Sequence, residues 1–313
     1  MASKTATLND GNKIPLLGLG TWLSKPGEVK EAVKHALNIG YRHIDCARLY
    51  QNENEVGQAL EEVFAEGKIK REDVFITTKI WNSYHSKGEA AKCLALSLQE
   101  LRLQYVDLLL IHWPMGYQEG GTPFPFDASG KKMLYSDVDY TETWQALEEF
   151  QAAGKAKSIG VSNFEPHQIE RILKIAKVVP AINQVECNIF FQQKALREFC
   201  EKHNILVQAY SPLTNPTNPL RKEGDKNILQ DEGIIEIASK YGKTPAQIAL
   251  AFLIHEGIPV IPKSVTATRI EENMNVDNVV FSPEEIQSIR DMDCNFRLVC
   301  IKHRDGDHPH FPW

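Results

Sequence analysis

Eight short runs rich in Val, Ile and Leu recur along this chain, and each ends in or beside a polar residue. They are LLGLGT to Thr21, RHID to Asp45, VFITTK to Lys79, VDLLLIH to His112, SIGVSN to Asn163, INQVE around Gln184, ILVQAYS to Tyr210 and Ser211, and PVIPKS to Lys263 and Ser264. Nearly continuous apolar runs suit parallel strands covered on both faces. Helical periodicity fills most of the gaps. Val29, Ala32, Val33, Ala36 and Leu37 form a one-sided stripe closed by Gly40, and Trp144, Leu147 and Phe150 form another closed by Gly154. Ser86 with Glu89, Thr244 with Gln247 and Ser282 with Glu285 read as capping boxes, the last two with proline at the first helical position. The alternation predicts an α/β fold, a single-domain (β/α)8 TIM barrel over residues 1–313, with its reactive residues at the C-terminal ends of the strands.

Three kinds of segment fall outside the repeat. TATL and KIPLL flank Asn9-Asp10-Gly11-Asn12, and Asp-Gly is a strong turn signal, so an N-terminal β-hairpin is expected, placed to plug the bottom of the barrel. Two gaps, residues 113–139 and 211–230, are longer than a helix requires, and long loops in compact domains are commonly functional. The tail, residues 294–313, has no helical period and is expected to be a C-terminal loop over the active face.

Composition narrows the picture. A barrel of this kind takes roughly 250 residues, so 313 leave room for the loops. A net charge of −6 argues against a nucleic-acid partner. No stretch approaches the ~20 apolar residues of a membrane span, and MASKTATLNDGNKI lacks the apolar core of a signal peptide. A cytoplasmic protein with no membrane partner is expected, monomeric because no exposed apolar stripe stands out. The six cysteines are scattered with no CxxC pair, and His85, His167, His203 and His255 lack metal-ligand spacing, so free thiols and no metal are expected.

The strand ends carry complementary chemistry. Asp45, Tyr50, Lys79 and His112 come from three consecutive strand tops, which are neighbours on a barrel. A tyrosine hydroxyl, with a pKa near 10, is a poor acid at pH 7. A lysine ammonium beside it would stabilise the phenolate and lower that pKa, and an aspartate would hold the ammonium in place. A neutral histidine could orient a carbonyl oxygen. Such a cluster is a metal-free proton donor aimed at a carbonyl, which is half of a carbonyl reduction. Any one of these residues alone would read as structural. A Rossmann-type nucleotide site is a poor match, because Trp22-Leu23 follows Gly18-x-Gly20 where the third glycine would fall.

Six collinear motifs make the chain similar to the aldo-keto reductase superfamily over essentially its whole length: Asp45-Cys46-Ala47-x-x-Tyr50-x-Asn52-Glu53-x-x-Val56-Gly57, Leu109-Leu110-Ile111-His112-Trp113-Pro114, Gly160-Val161-Ser162-Asn163-Phe164, Asn183-Gln184-x-Glu186, Tyr210-Ser211-Pro212-Leu213 and Ile261-Pro262-Lys263-Ser264-Val265-Thr266. The long middle loop and tail resemble the branch containing aldose reductase and aldehyde reductase. The resemblance implies an NADP(H)-dependent carbonyl reductase acting on a small-molecule substrate. It casts Tyr50 as general acid, Lys79 and Asp45 as the pair that tunes it, and His112 as the residue that orients the substrate. Ser162, Asn163 and Gln184 match contacts to the nicotinamide carboxamide, and Tyr210 the ring stacked on it. Thr21, Ser211 and Leu213 join the cofactor path, Lys263, Ser264 and Arg269 the 2′-phosphate clamp, and Glu272 and Asn273 the adenine contacts. Two cations and a hydroxyl suit a phosphate dianion on physical grounds as well. Trp22, Trp81, Trp113 and Phe124 match the walls of the substrate pocket, with Phe296, Leu298 and Cys300 in the tail region that sets preference.

The chain also departs from that branch. Leu213-Thr214-Asn215-Pro216-Thr217-Asn218 carries no acidic residue that could close over the cofactor, and Leu23 replaces a lysine, so a weak latch and fast release of NADP⁺ are expected. Reduction of aldehydes, and of some ketones, is the leading activity. A hydroxysteroid or prostaglandin oxidoreductase, or a non-catalytic NADPH-binding structural or regulatory subunit, stands as the alternative.

Overall fold

The computed structural model describes residues 4–214 and 218–313, so residues 215–217 of the expected weak latch lie outside the described residues. Strands β1 (Thr5–Thr7) and β2 (Lys13–Pro15) pair antiparallel as the expected hairpin. Its turn places Gly11 at φ +86, a conformation open to glycine. The hairpin does close the lower end of the barrel. Leu8 and Ile14 pack on Phe75, Leu108, Leu110, Ala181 and Ile182, and Asn9 Nδ2 donates to Pro180 O at 2.9 Å.

Seven parallel strands follow in chain order: β3 (Leu19–Gly20), β4 (His43–Asp45), β5 (Phe75–Ile80), β6 (Val106–Ile111), β7 (Ala156–Ser162), β8 (Ile182–Glu186) and β9 (Leu206–Tyr210). Their register sets Gly20 beside Asp45, Asp45 beside Thr77, and Gln184 between Ser162 and Gln208. Residues that end successive strands therefore share one rim. The eighth run, PVIPKS, forms single bridges rather than the expected continuous strand: Val260 to Leu17 and Ala209, and Lys263 to Gly20. Pro259 and Pro262 have no N–H to give a ladder. The remaining groups still bond both neighbours, with Val260 N to Leu16 O, Gly18 N to Val260 O and Ala209 N to Pro259 O each at 2.8 Å. These bonds close the TIM barrel between β9 and β3.

Helices wrap the outside with their apolar stripes inward. The first, Val29–Ile39, buries Val29, Ala32, Val33, Ala36 and Leu37 and stops at Gly40. The capping boxes at Thr244 and Ser282 form as read. The one at Ser86 does not. Ser86 Oγ donates instead to Glu119 Oε2 at 2.7 Å, which ties the long middle loop to the start of helix Lys87–Leu101. The tail was expected to lack helix but contains one short turn of it, Lys302–Asp305. It lies across the strand tops, held where Leu298 N and Val299 N donate to the buried Glu186 carboxylate at 2.9 and 2.8 Å. No helix among the described residues is long and apolar enough to cross a membrane.

Candidate active site

Asp45 ends β4, Tyr50 closes the short turn Arg48–Tyr50 that follows it, Lys79 lies one residue before the end of β5, and His112 sits one residue past β6. The rim brings the four together. Lys79 Nζ donates to Asp45 Oδ2 at 2.7 Å, to Cys46 O at 2.8 Å and to the Tyr50 hydroxyl at 3.3 Å. The His112 ring stands edge-on to Tyr50, with centroids 5.9 Å apart, and Trp81 stands edge-on to His112 at 5.1 Å.

A second tier of hydrogen bonds fixes this group. Gln184 Nε2 donates to Asp45 Oδ1 at 2.8 Å, and Thr21 Oγ1 to Asp45 O at 2.9 Å. Asn163, in left-handed backbone at φ +64, donates from Nδ2 to His112 O at 2.9 Å and accepts the Tyr210 hydroxyl at Oδ1 at 2.7 Å. Ser162 Oγ donates to Gln184 O at 2.7 Å. Side chains from five strand ends are thus bonded into one floor.

The electrostatics correct one expectation. Burial, and after it the negative charge of Asp45, push the Tyr50 phenol well above its usual value, so the net effect of the surroundings is not the lowering expected from Lys79. Burial and the Lys79 charge drive His112 well below its usual value, so its imidazole is neutral at pH 7.

Above the floor lies a cavity of about 1010 Å³. Asp45, Tyr50, His112, Ser162, Asn163, Gln184 and Tyr210 line its base, with Trp22, Trp81, Trp113 and Phe124 on its walls. Thr21, Ser211 and Leu213 lead along the cavity to Lys263, Ser264, Arg269, Glu272 and Asn273. Lys79 lies beneath the floor, 1% exposed. The residues at the far end fit a phosphorylated group. Lys263 is half-desolvated, burial lowers its pKa, and its Nζ donates to a neutral acceptor, Leu23 O, at 3.2 Å. With Arg269 and the Ser264 hydroxyl it makes a donor set suited to an anion.

The tail corrects a second expectation. Phe296, Leu298 and Cys300 are not among the described residues that line the cavity; Val299, Ile301, His303 and Arg304 are. Leu298 is buried, Phe296 packs on the main core and Cys300 is exposed. Leu49 on the near wall was also missed. Side chains of an extended segment alternate in direction, so the sequence offered two sets of odd or even positions and no means of choosing. Glu186 takes the consecutive amides of Leu298 and Val299, and the helical turn Lys302–Asp305 brings the adjacent His303 and Arg304 to the cavity, so the tail does not follow a simple alternation.

Residues 16–293 match the model of the Aldo/keto reductase family. Aldo-keto reductase family 1 member A1-A of Danio rerio is 44% identical over 318 residues, covering 99% of this chain and 98% of that protein. Aldo-keto reductase family 1 member A1 of Homo sapiens is 41% identical over 322 residues, covering 100% of this chain and 99% of that protein. Among solved structures, the aldose reductase from Schistosoma japonicum superposes with a TM-score of 0.92 at 40% identity, covering 99% of this chain and 98% of that one.

Proposed function

The chain belongs to the aldo/keto reductase family, oxidoreductases that act on carbonyl groups, and on that premise we propose that it is a monomeric enzyme that reduces aldehydes, and ketones that fit its cavity, to alcohols with NADPH. The observation that carries this reading is the Lys79 ammonium, bonded to both Asp45 and the Tyr50 hydroxyl under a cavity that His112 overlooks.

Bound reduced nicotinamide would supply a hydride to the carbonyl carbon. Tyr50 would supply the proton to the carbonyl oxygen. Its raised pKa keeps the phenol fully protonated at neutral pH, and Lys79, 3.3 Å away, meets the phenolate that remains. His112, neutral, would orient the carbonyl oxygen by a hydrogen bond. Trp22, Trp81, Trp113 and Phe124 would enclose the organic part of the substrate in an apolar slot with a polar floor. Ser162, Asn163, Gln184 and Tyr210 would hold the nicotinamide, and Lys263, Ser264 and Arg269 the 2′-phosphate.

Two measurements test the cofactor side. Arg269→Ala should raise KM for NADPH about tenfold, the worth of a charge-assisted hydrogen bond, and leave KM for NADH nearly unchanged. Equal losses with both cofactors would remove Arg269 from the phosphate clamp. The sequence from Leu213 to Asn218 has no carboxylate to close over the cofactor, so stopped-flow release of NADP⁺ should be faster than aldehyde turnover. Release that limits turnover would contradict a weak latch.

A further inference from the structure

The hydrogen-bonded floor does not end at Gln184. Its Nε2 has two hydrogens and two acceptors, Asp45 Oδ1 and Gln208 Oε1, both at 2.8 Å. Gln208 is the direct neighbour of Gln184 across β8 and β9, is fully buried, and is not among the described residues that line the cavity. We infer that Gln208 is a positioning residue: by holding the Gln184 amide it steadies the Asp45 carboxylate against Lys79 and so orients the proton donor Tyr50.

The orientation of both amides follows from their partners. A carboxylate only accepts, so Gln184 must turn its nitrogen toward Asp45. That nitrogen also faces Gln208, which must answer with its oxygen. The row then runs Gln208, Gln184, Asp45, Lys79, Tyr50, with each polar contact between 2.7 and 3.3 Å. The other half of the Gln208 amide contributes nothing to this row. Its Nε2 is buried without a hydrogen-bond partner among the described residues. A buried unpaired donor is a cost, and a methionine would fill much the same space without it. Stability of the fold therefore does not explain a glutamine here, whereas the bond from its oxygen to Gln184 does.

The consequence reaches the tyrosine through charge. Asp45 is among the negative groups that hold the Tyr50 pKa up. A firm hydrogen bond from Gln184 draws charge from Oδ1. With Gln208 gone, Gln184 is held on one side only, more of the Asp45 charge bears on Tyr50, and the phenol becomes a weaker acid.

The inference rests on the proposed role of Tyr50, and the test separates the two. Wild type, Gln208→Met, Gln184→Met and the double variant are compared by pH profiles of kcat for aldehyde reduction and alcohol oxidation. NADPH affinity, from tryptophan quenching, and thermal midpoints are measured on the same samples. For Gln208→Met, kcat for reduction should fall about threefold to tenfold, the size of one neutral amide hydrogen bond. The limb of alcohol oxidation, which needs phenolate, should move up by about half a pH unit or more. The Kd for NADPH should change less than about threefold, and the thermal midpoint should hold or rise. In the Gln184→Met background the same substitution should move the limb no further, since the effect passes through Gln184. An unmoved limb in the single variant, or shifts that add in the double, would overturn the inference. If Gln208→Met does not fold, Gln208→Asn, whose shorter amide cannot reach Gln184, carries the same comparison. Tyr50→Phe is run alongside. Retained activity there defeats the role of Tyr50, whereas an inactive Tyr50→Phe with an unmoved Gln208→Met limb defeats only the role of Gln208.

Discussion

Lys79 places an ammonium where 1% of the residue meets solvent, and three oxygens, from Asp45, Cys46 and Tyr50, answer its three N–H groups. Removing it strands a buried carboxylate. Lys79→Met should cost about 3–5 kcal/mol in chemical denaturation as well as activity; a variant as stable as wild type would show that the hydrogen bond from Gln184 alone suffices to hold the buried Asp45 carboxylate. Glu186 is another buried acid whose bonds hold a segment in place. Its two oxygens each take a tail amide, and burial raises its pKa against the opposing pull of those two amides and, after them, of Arg297. Glu186→Ala should free the tail and raise KM for the carbonyl substrate about tenfold with a smaller change in kcat, since wall contacts serve binding more than chemistry. A fall in kcat alone would place Glu186 in the chemistry instead. The two acids differ in how far the sequence announced them. Asp45 could be assigned a partner because strand tops on a barrel converge. Glu186 stands in a recognised motif, yet its partners are backbone N–H groups more than a hundred residues away, which no side-chain pattern declares.

Among the elements, strands that end at the rim were legible from apolar runs, and the hairpin from Asp-Gly. What could not be read depended on competition between partners. Ser86 and Glu89 have the spacing of a capping box, but Glu119 on the long loop takes the serine hydroxyl and Lys92 takes Glu89. The eighth strand looked continuous because its side chains are apolar, while its two prolines limit it to bridges. Gly57, on helix Glu53–Ala65, also had no stated reason in the sequence. An added Cβ there would lie 2.1 Å from Glu100 O on the neighbouring helix, so the glycine sets how closely two outer helices approach. Gly57→Ala should destabilise the protein by about 2 kcal/mol or more through overpacking, with kcat per folded molecule unchanged. A thermal midpoint equal to wild type would mean that the helices can part without cost.

The whole molecule seals polar groups into the barrel, and this gives it a direction in pH. Burial lowers both His43 and His85 from 6.5 to about 3 in the folded state. Between these values the unfolded chain binds protons that the native chain refuses. The stability is therefore fully present above about pH 6.5 and is lost progressively as pH falls toward 3. At pH 5 each histidine should cost about 2 kcal/mol relative to pH 7.5, measurable as a lower urea midpoint; equal midpoints at the two pH values would mean that the imidazoles keep their hydration, and their ordinary proton affinity, in the folded state. The same seal isolates Lys79 beneath a cavity that Tyr50 lines, and the two ends of that cavity differ, one apolar and one cationic. The central claim is that Tyr50 delivers the proton in a carbonyl reduction, and the most direct measurement is NADPH-dependent aldehyde turnover by Tyr50→Phe together with its NADPH affinity. Turnover should fall at least about a hundredfold with Kd for NADPH within about threefold of wild type; a variant that keeps most of its kcat would contradict the account.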